Sequence, residues 1–218
     1  MPLSLDANTL RTVARPAKRS HLAILTLVLM CLVWSAIRPH DYFTWFLEVA
    51  PVFIGAALIL PTYYTFRLTT LLYVLLAIHA CILMIGGHFT YAEVPLFNLI
   101  RDSFHLGRNH YDRVGHFVQG FVPFILTREL LARRSPLRQG KWLSFLSVAV
   151  CLAFSAFYEL IEWWTAIASG EASAAFLGTQ GDPWDTQWDM FMALIGACTS
   201  MVMLSRVHDK ALDRLLGR

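Results

Sequence analysis

Residues able to do chemistry fall at helical spacing in this chain. In "YDRVGHFVQG", residues 111–120, Asp112, His116 and Gln119 stand four and three positions apart, so a helix puts them on one face. Glu159 and Glu162 in "FSAFYELIEWW" are three apart, and Asp185 and Asp189 in "GTQGDPWDTQWDMFMALIGA" are four apart. Hard oxygen ligands with imidazole suit Zn²⁺, Mn²⁺, Fe²⁺ or Mg²⁺. The candidate ligands are Asp112, His116, Glu159, Asp185 and Asp189, which would make the cofactor a divalent metal whose identity the residue types leave open. A metal held there would acidify water for attack on an ester, amide or phosphodiester. Glu159, Glu162 and His116 are the candidate catalytic groups. Arg113, Gln119 and His79 are the candidate substrate contacts, and Arg101, Arg108 and Arg113 could hold a phosphate. The zinc-protease pattern HExxH does not occur.

Structural roles compete at each position. Asp182 before Pro183 reads as an N-cap followed by a first-turn proline, with Asp185 as a first-turn acid. Asp112 could pair with Arg113, and His79 could bond a neighbouring helix. Two carboxylates on one face, such as Glu159 and Glu162, repel unless protonated, paired or bound to a cation. Cys31, Cys81, Cys151 and Cys198 lie singly in apolar runs without metal-ligand spacing.

The elements that must position these residues are membrane helices. Hydrophobic residues make up 56% of the 218, mean hydropathy is +0.52, and charged residues are only 15%. Apolar runs predict six spans, at roughly 21–37, 43–60, 68–86, 112–130, 142–168 and 184–205. The fifth is long enough to tilt or project. The expected fold is all-α, a bundle of about six transmembrane helices, with a basic cytoplasmic segment at 1–20, the transmembrane domain at 21–206 and a basic cytoplasmic tail at 207–218. A short surface helix is expected around "VPLFNLIRDSF". Gly170, Gly178 and Gly181 are expected to shape the last outer loop.

Positive charge gives the direction. With the N-terminus inside, the inner segments hold Arg11, Arg15, Lys18, Arg19, Arg67, Arg128, Arg133, Arg134, Arg138, Lys141, Arg206, Lys210, Arg214 and Arg218. The outer side keeps Arg38, Arg101, Arg108 and Arg113. Both termini are then cytoplasmic. The first span ends in "VWSAI", a poor cleavage signal on too long a run for a signal peptide. The net charge of +3 is small and lacks basic–aromatic interleaving, which argues against nucleic acid as a partner. On this topology every acid or histidine within the membrane, Glu48 included, lies toward the outer face. Such groups are expensive in a bilayer, so their convergence implies a hydrated cavity. Trp163, Trp164, Trp184 and Trp188 would flank it as an interfacial belt, and Gly196 would allow close helix packing beside it.

"YDRVGHFVQGFVPFILTREL", "FSAFYELIEWW", "FLGTQGDPWDTQWDMFMALIGA" and "WFLEVAPV" closely resemble the YjdF family of bacterial inner-membrane proteins. The resemblance implies a multi-pass protein of the bacterial inner (cytoplasmic) membrane, and no activity comes with it. A looser pattern is similar to the VanZ-like membrane proteins: Asp112, Arg113 and His116, then Glu159 or Glu162, then Asp185 and Asp189 leading into a glycine-bearing helix. An asparagine belongs before that glycine, and this chain has Ala193 before Gly196. VanZ-like proteins are linked to glycopeptide-antibiotic tolerance.

Three functions follow. The first is a metal-dependent hydrolase or transferase acting on a lipid head group or envelope precursor. The second is a proton-coupled transporter using Glu159 or Glu162, against which stands the lack of an internal repeat. The third is a non-catalytic membrane protein whose polar residues form a structural network or dock a partner. The lipid bilayer is the partner common to all three. Substrate and oligomeric state are not legible.

Overall fold

Long runs of Leu, Ile, Val and Phe satisfy their backbone polar groups in a bilayer only as helices or closed barrels. In the computed structural model, which describes residues 18–169 and 174–217, the described residues form helices and no strand. They are α1 (Arg19–Ser35), α2 (Tyr42–Thr62), α3 (Thr70–Phe89), α4 (Pro95–Phe104), α5 (Tyr111–Arg134), α6 (Lys141–Ser169), α7 (Ala174–Leu177) and α8 (Asp185–Leu216). A 3₁₀ turn at Tyr91–Glu93 precedes α4. Arg11, Arg15, Gly170 and Arg218 lie outside the described residues.

Local chemistry sets the boundaries. Asp41 caps α2 by accepting from the Thr44 N–H at 2.6 Å, and Thr69 caps α3 by accepting from Leu72. Pro95 opens α4, and Gly217 in the left-handed region closes α8. The helix predicted from Asp182 and Pro183 starts later. Asp182 accepts from the Trp184 N–H at 2.9 Å, and α8 begins at Asp185. Asp182 thus holds the turn before the helix rather than capping its first turn.

The bundle is built around α5. It packs along α8 and against α6 and α3, while α1 and α2 flank α3. Glycines set the closest approach. A Cβ on Gly120 would run into the Ala193 carbonyl, and one on Gly196 into the Phe117 carbonyl, so α5 and α8 touch backbone to backbone. On α6, Leu143, Ser147, Cys151, Ser155 and Glu159 are all buried at every fourth position, forming one straight seam toward its neighbours. The lipid-type surface lies opposite: Leu58, Ile167 and Val202 are 66%, 67% and 77% exposed.

By length and composition, α2, α3, α6 and α8 can cross a membrane. The 17-residue α1 is apolar but shorter, and α5 falls outside that set. The reason for α5 is its position. Its buried residues include Asp112, Arg113, His116, Arg128 and Glu129, so it is enclosed by helices and need not be apolar itself. Helix α4 has no buried residue and exposes Leu96, Leu99 and Phe104, which matches the expected surface helix.

Candidate functional site

The helix order places two polar clusters at opposite ends of the bundle. At one end sit the starts of α5 and α8 and the late part of α6; we call it the acid end. Two loops are stitched together there. Asn109 N–H donates to Gln180 Oε1 and Gln180 Nε2 donates to the Asn109 carbonyl, both at 2.9 Å. Gln180 (φ 49°), Gly178 (φ 58°) and Gly181 (φ 84°) make the left-handed turns of the second loop. Arg108 reaches the Gly178 carbonyl at 3.2 Å.

Two guanidiniums organise the aspartates. Arg113 donates to Asp189 at 2.6 Å, Asp185 at 2.8 Å and Asp182 at 3.1 Å, and it also reaches the Asp185 carbonyl at 3.1 Å. Arg108 donates to the same Asp185 oxygen and lies 3.5 Å from both Asp112 and Asp182. Forked arginines suit this bridging. Asp185 is therefore an ion-pair residue held by two arginines. Arg113, expected to contact substrate, is engaged by α8 and its preceding turn. Arg101 is on α4 and pairs with the neighbouring Asp102 at 2.8 Å.

His116 stands one turn deeper. Its Nε2 lies 3.5 Å from Asp112 and 3.9 Å from Asp189, and its Nδ1 lies 3.8 Å from Glu159 Oε1. His116 and Glu159 are 5% and 6% exposed, yet His116 Nδ1 and Glu159 Oε1 have no hydrogen-bond partner. Potential ligand atoms of Asp112, His116 and Asp189 lie within 4.8 Å of one another, as do those of His116, Glu159 and Glu162. Glu162 is half-buried at the edge of this group. Gln119 is half-buried one turn beyond His116. His79 is placed elsewhere, in an apolar groove of about 360 Å³ among α1, α2 and α3.

A family profile described as "Predicted membrane protein (DUF2238)" matches residues 20–210. The chain belongs to this family. It is similar to "Inner membrane protein YjdF" of Escherichia coli (strain K12), with 50% identity over 190 residues that cover 87% of this chain and 90% of that relative. No solved structure matches. With its apolar helices, the chain is a multi-pass protein of the inner membrane. The YjdF likeness read from the motifs therefore holds over most of the chain.

Sequence reasoning underrated two residues of the acid end and missed the cluster at the other end. Glu48 is buried beside Tyr91, within electrostatic reach of Asp112 and His116. Arg108 does not share a helix with any aspartate it holds except through the chain turn before α5. At the opposite end, Glu129 and His208 are both wholly buried and lie 3.1 Å apart. Glu129 also accepts from the Thr69 hydroxyl at 2.8 Å and from Arg133 at 2.8 Å. Arg128 contacts His208 at 2.9 Å and Asp209 at 2.7 Å. This corrects the expectation that all buried acids and histidines gather at one face. Glu129 sits in "TREL" among basic residues, where it reads as a surface charge.

Proposed function

We propose that the acid end is an outward-facing divalent-cation centre of a membrane-embedded hydrolase or transferase acting on lipid or envelope substrates. One observation carries this: His116 and Glu159 are buried and face each other with unpartnered polar atoms, while Asp112 and Asp189 face the other imidazole nitrogen. Separations of 3.5 and 3.9 Å suit two ligands of one ion, given ligand distances of about 2.0–2.2 Å. Glu159 on Nδ1 takes the place of the carboxylate that commonly orients a ligating histidine. The charge balance supports the same reading. Asp112, Asp182, Asp185 and Asp189 share Arg108 and Arg113, while Glu159 and Glu162 lie by His116 with no arginine bonded to them among the described residues, so carboxylates outnumber guanidiniums.

In this reading Asp112, His116 and Asp189 hold the ion, and Arg113 fixes Asp189 and Asp185. A bound cation supplies acidified water. Glu162, half-buried at the edge of the group, would be the base for that water. The VanZ-like pattern names the same Asp, His and Glu positions. Six spans with both termini in the cytoplasm give the orientation. In support, α1 runs the full length of α3: His21 bonds Tyr63 and Thr70 at one end, and Ser35 meets Trp45 and His88 at the other. Helix α5 runs from the acid end to Glu129 among helices that can cross.

The test is elemental analysis of protein purified in mild detergent, beside His116→Ala and Glu159→Gln. About one equivalent of a divalent metal is expected in the parent, lost in His116→Ala and reduced in Glu159→Gln. No stoichiometric metal, or metal unchanged in both variants, removes the reading. A proton-coupled transporter is the second reading, favoured by the Glu129–His208 pair at the far end and by unpartnered Ser155 and Ser200 hydroxyls buried between. Cysteine accessibility at position 159 separates them, since a transporter opens that position to both sides in turn.

A further inference from the structure

At the end opposite the aspartates, a cavity of about 440 Å³ opens between the start of α3 and the last turns of α8. Arg206, Lys210 and Arg214 repeat every fourth residue along α8, so one helix face presents all three to it, and Lys18 lines it from before α1. These four cations are exposed, and none makes an ion pair among the described residues. Two nearby acids are engaged elsewhere, Asp209 by Arg128 and Glu129 by Thr69, Arg133 and His208, and Asp213, half-buried on the same last turns of α8, does not line the cavity. Among the described residues, no carboxylate lines the cavity. Leu71, Val207, Ala211 and Leu215 give it an apolar wall, and Thr69 and Thr70 also line it.

We infer that this cavity binds the phosphate head group of an anionic phospholipid, with the acyl chains on the apolar wall. Four cations around one opening, none ion-paired among the described residues, give it a positive potential that draws in an anion. A soluble anion would need the charges alone, whereas the Leu71, Val207 and Leu215 wall fits a ligand with an apolar body. Basic pockets of this kind between membrane helices on the cytoplasmic side suit anionic lipid head groups. The placement in the inner leaflet rests on the orientation proposed above; the binding itself does not.

The experiment is native mass spectrometry of the full chain in detergent micelles doped with dioleoyl phosphatidylglycerol, cardiolipin or dioleoyl phosphatidylcholine, with inorganic phosphate as a separate arm. Bound phosphatidylglycerol or cardiolipin is expected, with phosphatidylcholine at least tenfold weaker. The combined Arg206→Ala, Lys210→Ala and Arg214→Ala variant should lose that preference, and the combined Arg206→Lys and Arg214→Lys variant should keep it. The replaced side chains are exposed, and an unchanged unfolding temperature in phosphatidylcholine micelles checks that the fold is retained. Equal anionic-lipid binding by parent and triple variant overturns the inference. So does inorganic phosphate that displaces the lipid completely at low millimolar concentration, which would make the site one for a soluble anion. Neither result touches the metal reading, whose residues lie at the other end.

Discussion

At the scale of single residues, Arg113 ties three aspartates together. It joins α5 to the start of α8 through Asp182, Asp185 and Asp189 and lies 5.9 Å from the Trp188 ring centre. Removing one member of a buried charge set leaves the others without compensation, at about 3–5 kcal/mol. Arg113→Ala should therefore lower the unfolding midpoint in detergent sharply, as followed by tryptophan fluorescence. Arg113→Lys should recover little, because an ammonium cannot bridge three carboxylates as a planar fork does. Glu129→Ala should behave similarly at the far end. It would strip Thr69, Arg133 and His208 of their acceptor at once.

At the scale of elements, the α5–α8 contact is the least forgiving. Gly120→Ala or Gly196→Ala sets a methyl group against a backbone carbonyl, which cannot swing aside. The helices must separate, at a cost of more than about 1–3 kcal/mol. Gly55→Ala is the matched control, since a Cβ there meets nothing within 4 Å. Both should appear as expression and thermal-unfolding differences in the same detergent. The start of α2 gives a pH dependence. The Thr44 N–H holds the Asp41 carboxyl below the ordinary carboxylate range. A depressed value stabilises above the unfolded-state value, and that contribution disappears as pH falls through the folded-state value. Asp41→Ala should cost about 1 kcal/mol near neutral pH and flatten the acid side of a stability profile. Asp41→Asn should keep most of the cap and lose its pH dependence.

At the scale of the molecule, the two polar clusters give the bundle two chemically different ends. One carries an excess of acid around His116, and the other carries the cationic cavity. If the acid end faces outward, a cysteine at Gly107 in a cysteine-free chain should react with an impermeant maleimide on intact spheroplasts. One at exposed Arg138 should react only after permeabilisation. The opposite labelling pattern would reverse the orientation and place the candidate cation centre on the cytoplasmic side.

What the sequence determined by itself was everything that one helix can express. Hydropathy marked the apolar segments, four of which form helices long and apolar enough to cross a membrane, and the 3.6-residue period placed Asp112 with His116, Glu159 with Glu162 and Asp185 with Asp189. Gly196 could be read as a contact point because a missing side chain on a helix face permits close approach. Which faces meet was decided only in three dimensions. Glu129 and His208 are 79 residues apart, and no local pattern links them. His79 shares a residue type with His116 and sits in a different groove. Asp185 is bonded by two arginines, one before and one within α5, and no spacing along the chain announces that pairing. Spacing along a helix is fixed by backbone geometry. Pairing between helices depends on how ridges, glycines and caps let whole elements dock, and that information is spread across the chain.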